Sequence, residues 1–224
     1  MIEIDTRLRL ARGIAKTERE ASMEVFETLK RRGHPEAPPA VVSDGWGGIK
    51  QAMIAVYGQV PAYKGRGRRP TKKRQVEGWQ YLQVVKKRDS KGRFLGTALR
   101  VVFGKAAEVL ALLGQSTCYI ERTHLTMRQR THLTMRHMNG RLVRKGLGYS
   151  KQLRMHKAHA VWEDAVYNLC RYVKTLREEV LPEAARFEHR WSHRTPSMAA
   201  GLTDHRWSIK ELLRTLPVPI LDNT

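Results

Sequence analysis

The chain has 224 residues, 41% of them hydrophobic, enough for one domain of ordinary size with extensions and a real core. Its 42 Lys and Arg against 21 Asp and Glu leave a formal charge of +21, so a polyanion is the natural partner. No apolar run approaches bilayer-spanning length, Met1-Ile2-Glu3-Ile4-Asp5 lacks the order of a secretion signal, and Cys118 and Cys170 are too few and too far apart for a disulfide scaffold or a CxxC metal site. A soluble, intracellular protein with two buried reduced thiols is expected.

Ile2, Ile4, Leu8, Leu10 and Ile14 fall on alternate positions, which predicts two strands joined through Asp5-Thr6-Arg7, or one interrupted strand. Thr17-Glu18-Arg19-Glu20 fits a capping box, and Ala21, Val25 and Leu29 continue at helical spacing until Gly33 and Pro35. The short run Ala40-Val41-Val42 reads as a buried strand ending at Ser43-Asp44-Gly45. Ile49, Ala52, Met53 and Val56 then mark an amphipathic helix closed by Gly58. Asp44 therefore stands where a strand hands over to a helix, the end that faces the ligand crevice in α/β sheets.

Seven of the eleven residues in 64–74 are basic: Lys64, Arg66, Arg68, Arg69, Lys72, Lys73 and Arg74. With glycines between them they form a loop able to follow a phosphate backbone, and DNA contact is favoured over a merely solubilising role. Residues 79–86 and 94–103 are β-rich and flank the turn-like Asp89-Ser90-Lys91-Gly92-Arg93, which predicts a hairpin. Its aromatics Trp79, Tyr81 and Phe94 suit either a packed face or stacking on unpaired bases, and neither role is assigned.

A short helix is expected over 106–113, ending at Gly114, and another over 121–138. Inside the latter, Arg122-Thr123-His124-Leu125-Thr126-Met127-Arg128 recurs as Arg130-Thr131-His132-Leu133-Thr134-Met135-Arg136. A period of eight is far too short for a solenoid and reads as a local duplication. Val161, Ala165, Leu169, Tyr172 and Leu176 predict one face of a long helix, and a last short helix is expected near 209–213. His156 and His159 lack further ligands at metal spacing and read as surface residues.

Val42-Ser43-Asp44-Gly45-Trp46 and Tyr119-Ile120-Glu121-Arg122-Thr123-His124-Leu125-Thr126-Met127-Arg128 resemble bacterial insertion-sequence transposases of the Asp-Asp-Glu class, in their insertion-sequence-one-like branch. Asn139-Gly140-Arg141-Leu142-Val143-Arg144-Lys145 with Tyr149-Ser150-Lys151, Glu163-Asp164 with Tyr167-Asn168, and the tail 194–205 agree with that resemblance, which covers nearly the whole chain. It implies an α/β, ribonuclease-H-like (retroviral-integrase-like) catalytic domain that uses Mg²⁺ or Mn²⁺ to cut and join DNA. Phosphodiester transfer of this kind needs hard divalent ions to serve the attacking and leaving oxygens, and such ions want carboxylate ligands.

On that resemblance Asp44 and Glu121 are the inherited catalytic metal ligands, although alone each suits a turn former or a solvated helix residue equally. Arg128, Arg141, Arg144, Lys145 and Lys151 join the 64–74 tract as phosphate contacts that position DNA without reading its sequence. The implied organisation is 1–60 as the first part of the core, 61–104 as basic loop and hairpin insertion, 105–180 as the helical remainder, and 181–224 as a tail.

Two departures stand out. The family's first Asp lies on a strand ahead of the segment resembling Ile4-Asp5-Thr6-Arg7-Leu8, which leaves Asp5 as a turn residue or, alternatively, as that first ligand. The eight-residue duplication would shift a helix by about 12 Å and turn it by about 80°. Both point to a truncated or inactive transposase acting on transposon-end and target DNA in the bacterial cytoplasm, at the nucleoid, with a homodimer as an open arrangement. The alternatives are a non-catalytic basic DNA-binding protein of the same descent and, on charge alone, an RNA-binding protein.

Overall fold

The structure, a computed structural model, describes residues 1–63, 65, 67–113, 147–148, 150–180 and 190–215. The chain divides into two compact units, Met1 with residues 10–127 and residues 2–9 with 128–224. The architecture is mixed α/β, with a small sheet and several helices.

In the first unit, helix α1 (Glu18–Arg32) starts where the Thr17 hydroxyl accepts from the Glu20 N–H at 3.2 Å, one half of the expected capping box. It stops at Gly33, whose N–H closes on the Leu29 carbonyl. Strand β1 (Val41–Asp44) follows, then helix α2 (Gly48–Tyr57), closed by the Gly58 N–H on the Ile54 carbonyl. Strands β2 (Tyr81–Arg88) and β3 (Phe94–Phe103) form the predicted hairpin. It supplies two of the three strands of the sheet: β2 pairs parallel with β1 and antiparallel with β3, in the order β1-β2-β3.

Alternation puts two cores on the two faces of this sheet. On one, Val41, Tyr81 and Phe103 meet Phe26 and Leu29 of α1 and Ala52, Met53 and Tyr57 of α2, with Trp79 completing the cluster. Edge-on aromatic contacts run from Phe26 through Tyr57 and Trp79 to Phe103 at centroid spacings of 6.5, 6.4 and 5.6 Å. On the other face Leu82 packs on Val109 and Leu113 of helix α3 (Ala106–Leu113). Trp79 and Tyr81 are thus core residues, whereas Phe94 at the hairpin's turn end is 60% exposed.

In the second unit the alternating apolar residues of the amino-terminal segment make a tight turn in place of strands. Ile2 and Arg9 form a single antiparallel bridge, the Glu3 N–H donates to the Leu8 carbonyl, and Glu3 accepts from the Asp5 and Thr6 N–H groups. Asp5 is an exposed turn residue.

Helix α4 (Leu153–Ala165) passes into a π-turn (Val166–Cys170) and ends there, so the predicted long helical face is interrupted. Val161 is 64% and Tyr172 48% exposed, while Ala160 and Glu163 point inward. Apolar spacing missed this because the inward face is polar and built around an arginine. The Arg9 guanidinium lies 3.0 Å from Asp164, 3.9 Å from Glu163 and 3.9 Å over the Tyr167 ring. Asn168 accepts from the Arg9 N–H and donates to its carbonyl, each at 3.0 Å.

The remainder comprises a 3₁₀ turn (Lys174–Leu176), a two-stranded ribbon of β4 (Glu178–Glu179) and β5 (Trp191–Ser192), and helices α5 (Pro196–Ala199) and α6 (Ile209–Arg214). The last is the predicted terminal helix and carries a complete capping box between Ser208 and Glu211. Cys170 is a free thiol, half-buried, whose pKa burial raises.

With only 8% of its side chain exposed, Arg9 holds a buried charge pair. Replacing it by Met takes the guanidinium away from the Asp164 and Glu163 carboxylates and leaves the Arg9 side of the pair apolar, and we expect a loss of about 3–5 kcal/mol. Urea unfolding followed by fluorescence measures it; a loss below about 1 kcal/mol would mean the pair is no more than a surface contact.

Candidate functional site

Asp44 is the last residue of β1, exposed, at the carboxyl end of a parallel strand pair and ahead of α2. Its Oδ1 accepts from the Trp46 N–H at 3.2 Å, forming a tight Asx turn, and its Oδ2 has no hydrogen-bond partner among the described residues. Trp46 folds its indole back over the start of α2. A Cβ at position 48 would lie 2.2 Å from that ring, so Gly48 is what permits the close approach.

Beneath this loop a row of polar residues crosses the sheet. Ser43, Gln83 and Arg100 are register partners on β1, β2 and β3. Gln83, 1% exposed, donates through Nε2 to the Tyr81 hydroxyl at 2.8 Å and to the Trp46 carbonyl at 3.1 Å. Its Oε1 accepts from Arg100 Nε at 3.0 Å and from Arg100 Nη2. The Ser43 hydroxyl shares a 2.8 Å hydrogen bond with the Tyr81 hydroxyl and donates to the Asp44 carbonyl, also at 2.8 Å.

Both ends of the Asp44–Trp46 turn are therefore tied to buried side chains of the sheet. A buried carboxamide costs free energy unless its bonds are made, and here they are. Burial raises the Tyr81 pKa; the Ser43 and Gln83 hydrogen bonds oppose the shift, the Asp44 charge adds to it, and the Arg100 charge opposes it.

Ser43 lies within the Val42–Trp46 motif without a role of its own and Tyr81 among the unassigned hairpin aromatics, while Gln83 and Arg100 belong to no motif. The available signal was local: a glutamine within the otherwise apolar Tyr81-Leu82-Gln83-Val84-Val85 must find buried partners once that run becomes a central strand.

The basic tract attaches elsewhere. The Arg74 and Gln59 main chains bridge at 2.8 and 3.0 Å, and Lys73 Nζ donates to the Ala55 carbonyl at 2.7 Å in the last turn of α2. Lys30 Nζ adds a bond to the Val56 carbonyl, so two ammonium groups complement the negative end of the helix. Asp44 precedes the amino-terminal end of α2 and Lys73 and Arg74 attach at its carboxyl end, the helix itself being about 15 Å long. Arg68, Arg69, Lys72 and Arg74 are exposed, with Arg69 5.5 Å over the Tyr63 ring.

Lys151 is exposed ahead of α4 in the second unit. Glu121, Arg128, Arg141, Arg144, Lys145, Lys64 and Arg66 lie outside the described residues, as do the duplicated repeat and Cys118.

Of the proposed metal ligands, Asp44 fits a hard divalent cation as one donor: an exposed carboxylate with one oxygen that no described residue engages. Among the described residues no group of three or more His, Cys, Asp or Glu side chains is gathered to hold a metal ion. No described helix is long and apolar enough to cross a membrane. No family model, curated protein or solved structure matches the chain.

Burial raises the pKa values of Tyr57, Tyr81 and Tyr167 above 10.0. The protonated phenols favour the folded state, so their contribution is complete below the unfolded value near 10 and is lost as pH rises through the raised folded values. We expect the urea midpoint to fall above about pH 10, and Tyr81→Phe to blunt that fall. At neutral pH the same variant should cost about 1–3 kcal/mol, because the Ser43 hydroxyl and Gln83 Nε2 lose a shared partner. An unchanged alkaline limb in Tyr81→Phe would remove Tyr81 as its source.

Proposed function

We propose that the chain is a DNA-binding protein of the Asp-Asp-Glu transposase class, of a lineage built for cleavage and strand transfer at transposon ends by metal-assisted phosphoryl transfer, and inactive on its own. Asp44 and Glu121 are its Mg²⁺ or Mn²⁺ ligands in this reading. The observation that carries it is the position of Asp44. Its carboxylate stands exposed at the carboxyl end of β1, at a strand-to-helix crossover beside a parallel neighbour, where α/β sheets bind ligands.

Helices α1 and α2 on one face and α3 on the other support a ribonuclease-H-like core around that strand pair. When bound, the divalent ion would supply charge stabilisation to the phosphoryl group; the chain's own part is to present carboxylate oxygens and hold the DNA. The excess of 42 basic over 21 acidic residues and the exposed Arg68, Arg69, Lys72 and Arg74 support DNA as the polyanion. A location at the bacterial nucleoid follows from the same reading.

One observation favours a second reading, a non-catalytic DNA-binding protein of the same descent. Lys73 and Arg74 of the basic tract attach at the end of α2 opposite Asp44, which supports an affinity for DNA separable from carboxylate chemistry.

Mn²⁺ titration by electron paramagnetic resonance, with supercoiled-plasmid nicking in Mg²⁺, tests the choice. We expect Mn²⁺ binding that vanishes in Asp44→Asn and in Glu121→Gln, and no nicking by the chain alone; Mg²⁺-dependent nicking that Asp44→Asn abolishes would overturn its inactivity. Mn²⁺ occupancy indifferent to both substitutions would sink the metal-ligand assignment. Tight, salt-sensitive duplex binding with neither metal dependence nor nicking selects the second reading, and a preference for structured RNA over duplex DNA overturns both.

A further inference from the structure

Arg100 belongs to neither the basic tract nor any motif of the sequence, yet its side chain is held more deliberately than those of the tract. Two of its nitrogens, Nε and Nη2, donate to a single acceptor, Gln83 Oε1. That acceptor is itself immobilised: Gln83 is 1% exposed and its Nε2 is bound to both the Tyr81 hydroxyl and the Trp46 carbonyl. The guanidinium is thereby fixed in plane and direction from inside the sheet, while Arg100 as a residue remains exposed.

The choice of partner carries chemical meaning. Arg9 is held by Asp164 and Glu163, Arg190 by Glu179 and Arg194 by Glu178, each a carboxylate that cancels the arginine's charge. The exposed Arg31, Arg32 and Arg88 each donate through one nitrogen to a neutral oxygen, of Thr28, Leu10 and Gly92, so that the paired bond to a buried amide is what sets Arg100 apart. Gln83 orients Arg100 without neutralising it. A neutral anchor on one edge leaves Nη1 and the full positive charge for an anion, and a planar fork held this way suits the paired oxygens of a phosphodiester. Register places Arg100 one row from Asp44, on the row of Ser43 and Gln83, about 10 Å from β1 across two strand spacings.

We propose that Arg100, oriented by Gln83, is a phosphate-binding residue that takes a non-bridging oxygen of the DNA backbone at the carboxyl end of β1. This rests on DNA being the partner, as in the function proposed above, but not on metal binding or cleavage. Ordinary surface arginines add charge without preset geometry; Arg100 is prepaid in orientation, so its contribution should exceed that of an unanchored cation nearby.

The test is binding of a fluorescein-labelled duplex to the full chain, read by anisotropy in EDTA across a salt series, so that failure of the metal-dependent reading leaves it untouched. Arg100→Ala should weaken binding about 10-fold or more and lower the salt slope by about one. Arg100→Lys should keep the slope and recover only part of the affinity, because a point charge lacks the fork. Gln83→Met, which keeps the charge and frees its direction, should also keep the slope while losing several-fold in affinity.

Lys87→Ala, an exposed cation on the same hairpin, is the comparison and should change affinity by no more than about twofold. If alanine disturbs the hairpin, as judged by circular dichroism, Arg100→Gln gives the same reading at nearly the same side-chain length. Affinity in Arg100→Ala within twofold of wild type, or a loss in Lys87→Ala equal to that in Arg100→Ala, overturns the proposal. A wild-type chain that binds no duplex at low salt overturns this inference and the function it rests on together.

Discussion

The parallel pairing of β1 with β2 is the constraint on which the first unit depends. Only four residues of β1 take part, and two of them, Val41 and Ser43, are buried. So short a strand gains little from its ladder alone. It is held because the same few residues close the aromatic cluster on one face and meet Leu82's layer on the other through Val42. Once β1 is set, Asp44 has no choice of place. It must leave the sheet at the strand's carboxyl end, and the Asx turn to Trp46 with the tight approach over Gly48 fixes how α2 departs.

The second unit solves a different problem by the opposite chemistry. Its amino-terminal turn has too few residues to form a sheet, and it is held by one arginine fed into a polar face of α4 and its π-turn. Glu163, Asp164, Tyr167 and Asn168 recur at helical spacing and meet Arg9 through charge, ring face and main chain at once. The π-turn adds a residue to the helical repeat where these groups must converge, which is a common reason for such a turn to persist. A stretch that reads in sequence only as a resemblance to one enzyme class thus has a structural task that would constrain it with or without catalysis.

Sequence periodicity captured what depends on neighbours along the chain. The Thr17 cap, the Gly33 and Gly58 stops, α2's buried Ala52 and Met53, the hairpin around residues 89–93, and α3 from 106 to 113 all follow from local propensity and apolar spacing. Partnerships across the chain were illegible. Nothing local tells that β2 lies beside β1 in parallel, or that 2–14 makes a turn and a bridge instead of strands. The expected face through Val161 and Tyr172 failed for a related reason: apolar periodicity cannot see a helix whose inward side is Glu163 and Asp164. At the candidate site Asp44 was legible because strand, turn and helix signals bracket it, whereas Gln83 and Arg100 acquire meaning only from cross-strand register.

A chain with twice as many basic as acidic residues has cations to spare, so charge alone cannot distinguish a built anion site from background. Geometry can. The cations of the 68–74 tract that have assigned contacts serve the fold first: Lys73 completes the end of α2, and Arg69 rests over Tyr63. In the second unit Arg9, Arg190 and Arg194 take acidic partners and lose their field, while Arg177 and Arg206 lie over the Trp191 and Tyr172 rings. Arg100 departs from both patterns, since its anchor is neutral, buried and bonded on every side, and such an anchor can exist only because Ser43 and Tyr81 absorb the remaining hydrogen-bonding capacity of the row. The polar row that would otherwise be a cost to the sheet does two jobs with one set of bonds: it ties down the main chain of the Asp44 turn, and it aims an uncancelled positive charge outward from the same strand ends.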